Sequence, residues 1–152
     1  MKEKPQEMLM SFPSDFKFLG AVDAAVQDLA REFAVSENSI NDISTALIEA
    51  CSNAIEHGNK FGKDKRVKVA LGFNGGSITA RVWDEGPGFD YEEILTRSAP
   101  PDPMSERGRG LIIMRAFTDE LSFSYKKKEG LCVELVKSGG DPESDADAPT
   151  DD

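Results

Sequence analysis

Two runs of alternating residues meet at Asn74-Gly75-Gly76, and they restrict the fold more than any other stretch. Val67, Val69, Leu71 and Phe73 alternate with Lys68, Ala70 and Gly72 before the turn; Ile78, Ala80 and Val82 alternate after it, up to Trp83-Asp84. Strand side chains point to opposite faces with a period of two, and Asn-Gly between such runs is the strongest local hairpin signal. The spacing therefore predicts an antiparallel hairpin with one apolar face that other elements must cover.

Candidates for that cover lie upstream. Met8, Met10 and Phe12 alternate with Leu9 and Ser11 as a first strand closed by Pro13. Leu19, Val22, Val26, Leu29 and Phe33 recur at helical spacing, giving an amphipathic helix over roughly residues 15–34. After a polar break at residues 36–39, Ile43, Leu47, Ala50 and Ala54 draw the apolar stripe of a second helix, ending near His57-Gly58 with Gly58 as its cap. Residues 60–66 form a basic loop.

Downstream of the first hairpin, residues 90–107 carry Pro100, Pro101 and Pro103 and read as a long lid-like loop that opens on a helical turn at residues 91–95. Leu111, Ile113, Met114 and Phe117 make a short buried helix. Residues 121–125 and 131–136 alternate around Glu129-Gly130 as a second hairpin. Helices grouped between antiparallel hairpins give an α+β fold, a two-layer α/β sandwich with a mixed, mostly antiparallel sheet and helices on one face.

Charge narrows the function classes. Of the net charge of −10, residues 138–152 supply −6 through five Asp and one Glu without a base, leaving −4 on the rest. That Gly-, Pro- and Asp-rich end reads as a disordered acidic tail (138–152) appended to a single domain (1–137). An acidic body without a basic stripe argues against direct nucleic-acid binding, and Lys126-Lys127-Lys128 reads as a turn between strands. No apolar run is long enough to cross a membrane. Cys51 and Cys132 form no C-x-x-C pair and read as reduced core thiols, which suits the cytoplasm.

Three polar motifs carry the chemistry. Glu49 and Asn53 fall on one stripe of the second helix, beside its apolar one. A carboxylate there can take a proton from a hydroxyl, and an amide oxygen suits a hard cation such as Mg²⁺. Asp84-x-Gly86-x-Gly88 follows the strand end, where glycines let backbone approach a ligand and Asp84 can accept from an amino group such as that of adenine. Gly108-Arg109-Gly110 opens a helix, a seat for phosphate with Arg107 and Arg109 as cations. Each alone is ordinary: a solvated helix face, a tight turn, a weak G-x-G without Rossmann or P-loop context. His57, without a triad partner in the sequence, reads as a helix-end residue fixing local geometry.

In that fixed order the three motifs resemble the GHKL (Bergerat-fold) ATPase family over about residues 8–137. Glu49-Ala-Cys-Ser-Asn53-Ala-Ile-Glu-His57-Gly58 and Arg107-Gly-Arg-Gly-Leu111 look most like its small anti-sigma-factor serine/threonine kinases. The resemblance implies ATP and Mg²⁺ as cofactors, with Asn53 on the metal and Asp84 on adenine in a pocket shaped by Gly86 and Gly88. Gly108, Arg109 and Gly110 would meet the phosphates, with His57 and Arg107 beside the nucleotide, and Glu49 would be the general base. It further implies phosphorylation of an anti-sigma-factor antagonist, sequestration of a sigma factor, and a homodimer. A non-catalytic module that ATP gates toward some other partner, and a plain ATP hydrolase, are the alternatives.

Overall fold

The computed structural model describes residues 6–92 and 106–138, the side chains of 106 and 107 excepted. The chain runs β1 (Gln6–Pro13), a 3₁₀ turn (Phe16–Phe18), α1 (Leu19–Glu32) and α2 (Glu37–Asn53), continued by one π turn (Ala54–Gly58). It goes on through β2 (Arg66–Asn74), β3 (Ser77–Trp83), α3 (Glu106–Ala116), β4 (Glu120–Lys126) and β5 (Gly130–Lys137). The five strands form one open sheet in the order β1-β2-β3-β5-β4. Every neighbouring pair is antiparallel, so the described sheet is not mixed.

Register shows why one face is apolar. Val69 pairs with Val82, Val82 with Val133 and Val133 with Phe123; Leu71, Ala80, Leu135 and Leu121 make the next rung. These rungs pack with Val22, Val26 and Ala30 of α1, Ile40, Ile43 and Leu47 of α2, and Leu111 and Met114 of α3 in one core cluster. Each large apolar side chain so buried contributes about 1.5–3 kcal/mol. Both expected hairpins form. The first closes at Asn74–Ser77, with Gly75 and Gly76 both left-handed at φ 57° and 85°, as the twist of a two-residue hairpin demands.

Some local expectations change. The first helix does not begin at Asp15: its side chain accepts from Lys17 N at 2.9 Å and caps the separate 3₁₀ turn before α1 starts at Leu19. At the other end Ala34 turns left-handed (φ 57°), and Val35 N donates to Ala30 O at 3.1 Å, a Schellman closure built without glycine. Ser36 caps α2, accepting from Ser39 N at 3.2 Å. Phe117 lies past the end of α3 and is exposed, so only Leu111 and Met114 of that stretch are fully buried.

Cys132 is not a core thiol. The pleat turns Leu131, Val133 and Leu135 inward and leaves Cys132 half-buried on the open face, beside Trp83 and the Arg81–Glu134 pair (2.7 Å). Cys51 is fully buried, as expected. Both are free thiols.

The described C-terminal residues form a hydrogen-bonded latch. Ser138 N donates to Asp119 Oδ2 at 2.6 Å, Ser39 Oγ donates to Ser138 O at 3.0 Å, and Lys137 Nζ lies 3.1 Å from Asp42. The rest of the acidic tail, and the lid apart from its first residues and Glu106 and Arg107, lie outside the described residues.

Candidate functional site

Glu49 and Asn53 sit one turn apart near the C-terminal end of α2, both partly exposed. Glu49 borders a groove between α1 and α2 that also takes in Leu19, Asp23, Thr45 and Ile48. Beyond Asn53 the helix widens into the π turn Ala54–Gly58, a distortion often found at functional sites. His57 lies in this turn, its Nε2 4.0 Å from Glu56 Oε2.

Gly58 is not the cap expected of it. The left-handed residues that end the helix are Lys60 and Phe61, and Asn59 flanks the π turn. Gly58 serves a tertiary contact instead. A Cβ there would collide with the Asp84 carboxylate and stand 2.9 Å from Asp84 Cβ. A Cβ on Gly86 would stand 2.9 Å from Gly58 Cα. The end of α2 and the loop after β3 therefore meet backbone to backbone, with Asp84 (4% exposed) between them. Gly86 N donates to Asp84 Oδ1 at 2.8 Å, which orients the carboxylate, and Asp84 N donates to Leu131 O at 3.0 Å.

The third segment joins through Gly110. Helix α3 begins at Glu106, so Gly108 and Gly110 fall within its opening turns. A Cβ on Gly110 would lie 2.8 Å from Asn53 Nδ2, so the Asn53 amide is seated against the N-terminal half of α3. Arg109 is exposed between two buried glycines, and the Arg107 side chain lies outside the described residues. Gly88 faces elsewhere: it is left-handed (φ 78°) and its Cβ would stand 3.1 Å from the Tyr125 ring on β4. There Phe89 and Tyr91 pack on Phe123, with ring centroids 5.5 and 5.6 Å away, and moor the first residues of the lid to β4.

Two residues of this arrangement escaped the sequence reading. Asn59, 2% exposed, accepts from Glu85 N (2.7 Å) and donates to Arg66 O (3.0 Å) and Ser14 Oγ (2.9 Å), tying the end of α2 to both flanks of the hairpin and to β1. A polar residue between Gly58 and Lys60 reads as plain turn, and no periodicity marks it. Gly130, read only as a hairpin residue, is left-handed (φ 83°), and a Cβ there would strike the Asp84 carbonyl. Its signal, a glycine closing the second hairpin, gave no hint of Asp84.

Chemically the arrangement suits a magnesium nucleotide. A buried, oriented carboxylate can accept from an exocyclic amine, and a neutral amide oxygen is a hard-cation ligand. The opening turns of a helix suit phosphate. Cradles that a single Cβ would fill hold Asp84 against the end of α2 and the Asn53 amide against the opening turns of α3.

Residues 12–137 match the histidine kinase-like ATPase domain family. The serine-protein kinase RsbW of Bacillus subtilis is 27% identical over 90% of this chain and 88% of its own. The RsbW of Oceanobacillus iheyensis is 24% identical over 91% and 90%. Among solved structures, one of RsbU and RsbW domains from Mycobacterium tuberculosis aligns over 87% of this chain and 32% of that longer one. Its TM-score is 0.59 at 20% identity, a likeness of fold.

Proposed function

This chain belongs to the histidine kinase-like ATPase domain family, and from that premise we propose that it is an ATP- and Mg²⁺-dependent protein serine/threonine kinase. Its substrate is an anti-sigma-factor antagonist, and in the alternative state of the switch it sequesters a sigma factor, as a cytoplasmic homodimer. The observation that carries the site is the convergence of Gly58, Gly86 and Asp84 on one side and of Asn53 and Gly110 on the other. The end of α2 touches the loop after β3 at one contact and α3 at another, and on this reading each of the three segments offers one group that a magnesium nucleotide needs.

Bound Mg-ATP supplies a transferable phosphoryl group. The protein's own part is to position and neutralise, since phosphoryl transfer asks for little covalent help. Asp84, held by Gly86 N, accepts from the adenine amine, and Gly86 leaves the backbone room to close. Asn53 lends its amide oxygen to the metal. Gly108 and Gly110 bring the opening turns of α3 to the phosphates, with Arg107, Arg109 and His57 nearby. Glu49, on the same stripe as Asn53 and at the mouth of the α1–α2 groove, takes the proton of an incoming hydroxyl.

Calorimetry and phosphate transfer test these roles separately. Asn53→Ala weakens Mg-ATP binding by about tenfold or more. Glu49→Gln leaves that affinity intact but slows transfer to candidate antagonists, followed by mass spectrometry, by about 10²-fold or more. Undiminished transfer in Glu49→Gln removes Glu49 as the base. Tight sigma-factor binding with no transfer to any candidate antagonist turns the reading to the non-catalytic, ATP-gated module.

A further inference from the structure

The 3₁₀ turn before α1 and the segment leaving the π turn each present one aromatic ring to solvent. Phe16 and Phe61 are 43% and 49% exposed, their ring centroids 5.1 Å apart and their planes at 76°. Singly exposed apolar residues need no explanation, but this pair is built. Lys60 and Phe61 are consecutive left-handed residues (φ 51° and 57°), an unfavourable backbone for two side-chain-bearing residues. Phe61 N donates to Ile55 O at 2.9 Å, which holds the loop in that conformation. Ser14 Oγ donates to Lys65 O at 2.6 Å and accepts from Asn59 Nδ2, so the segment leading to Phe16 is tied to the segment carrying Phe61. The 3₁₀ turn, which replaces the first turn of the expected helix, carries Phe16.

The surroundings of the pair are basic on a protein that is acidic as a whole. Lys17, Lys60, Lys63 and Lys65 are exposed; the nearby acids are Asp15, which pairs with Lys17 at 3.4 Å, Asp64, and Glu85, whose Oε2 accepts from Arg66 N at 2.6 Å. We propose that Phe16, Phe61 and this lysine rim form a docking surface for an acidic segment of a partner protein that also carries an apolar side chain. The rings take the apolar group, the ammonium groups take carboxylates, and the opposite charges speed encounter. The protein's own tail supplies only half of that chemistry: residues 139–152 hold six acids but no Leu, Ile, Val, Met or aromatic residue. Single-stranded nucleic acid also favours aromatics amid lysines, but the net charge of −10 opposes it. The proposal is independent of the nucleotide site.

The test is fluorescence polarisation of the full chain with a labelled peptide of alternating Asp or Glu with Leu and Phe, against a control peptide with Ser at every apolar position. The first peptide should bind, more weakly at about 300 mM than at about 50 mM salt. Affinity should fall about tenfold in Phe61→Asn and again in Lys60→Glu/Lys63→Glu. Asparagine tolerates the left-handed conformation, so the first variant keeps its fold, which circular dichroism checks. Equal binding of both peptides, unchanged affinity in both variants, or no binding at all overturns the proposal. So does binding of oligo(dT) in preference to the acidic peptide, or binding that emerges only after removal of residues 139–152, which would make the tail the occupant.

Discussion

Asn59 illustrates how much one side chain can hold at this site. It is buried and satisfies an amide, a carbonyl and a hydroxyl from three separate segments. Asn59→Ala removes these three bonds, although Ser14 Oγ keeps its bond to Lys65 O, and a buried group left unpaired costs about 1–3 kcal/mol. Urea unfolding should register that loss, and Mg-ATP affinity should fall with it, because Glu85 adjoins Asp84. The two thiols make a second case. Burial pushes Cys51 up to about 12 and Cys132 up to about 11. At pH 8 both are almost wholly protonated, and a thiol reacts as its thiolate. A disulfide reagent should therefore label neither quickly in the native protein, Cys132 ahead of Cys51, and both promptly in guanidinium.

At the scale of elements, the joints carry the backbone strain and the pH-sensitive contacts. Ala34 closes α1 in a left-handed conformation that glycine adopts freely. Ala34→Gly should raise the stability by about 0.5–1 kcal/mol, seen as a higher urea midpoint with an unchanged slope. The latch that ends β5 responds to pH. The Ser138 amide donated to Asp119 holds its carboxyl below the usual range, with Lys137 assisting. A carboxyl depressed in the folded state adds stability above its unfolded pKa and loses it as pH falls through the folded value. Asp119→Asn should thus be less stable than the parent at neutral pH, the gap closing as the pH falls through the acid range. Because Asp119 is nearly half exposed, solvent screening keeps the gap under about 1 kcal/mol.

At the scale of the whole molecule, the body is a sheet with helices on one face, and we propose that residues 139–152 are a solvated appendage to it. Removing them should leave the melting temperature and the Mg-ATP affinity unchanged, as differential scanning fluorimetry and calorimetry would report; a loss of either would place the tail within the fold. The sequence by itself determined the strands, both hairpins, the two long helices and the order of the motifs. Those follow from periods of two and 3.6 and from turn chemistry, all local. It misjudged the function of Gly58, because cap and contact glycines look alike in one dimension. It gave Cys132 to the core, because alternation does not say which face is covered. Only the tertiary structure decided that Gly58 meets Gly86, that Gly110 seats Asn53, and that Asn59 and Gly130 brace the Asp84 loop. Such close approaches depend on where distant segments cross, and no spacing within a segment encodes the absence of a Cβ that a neighbour elsewhere in the chain requires.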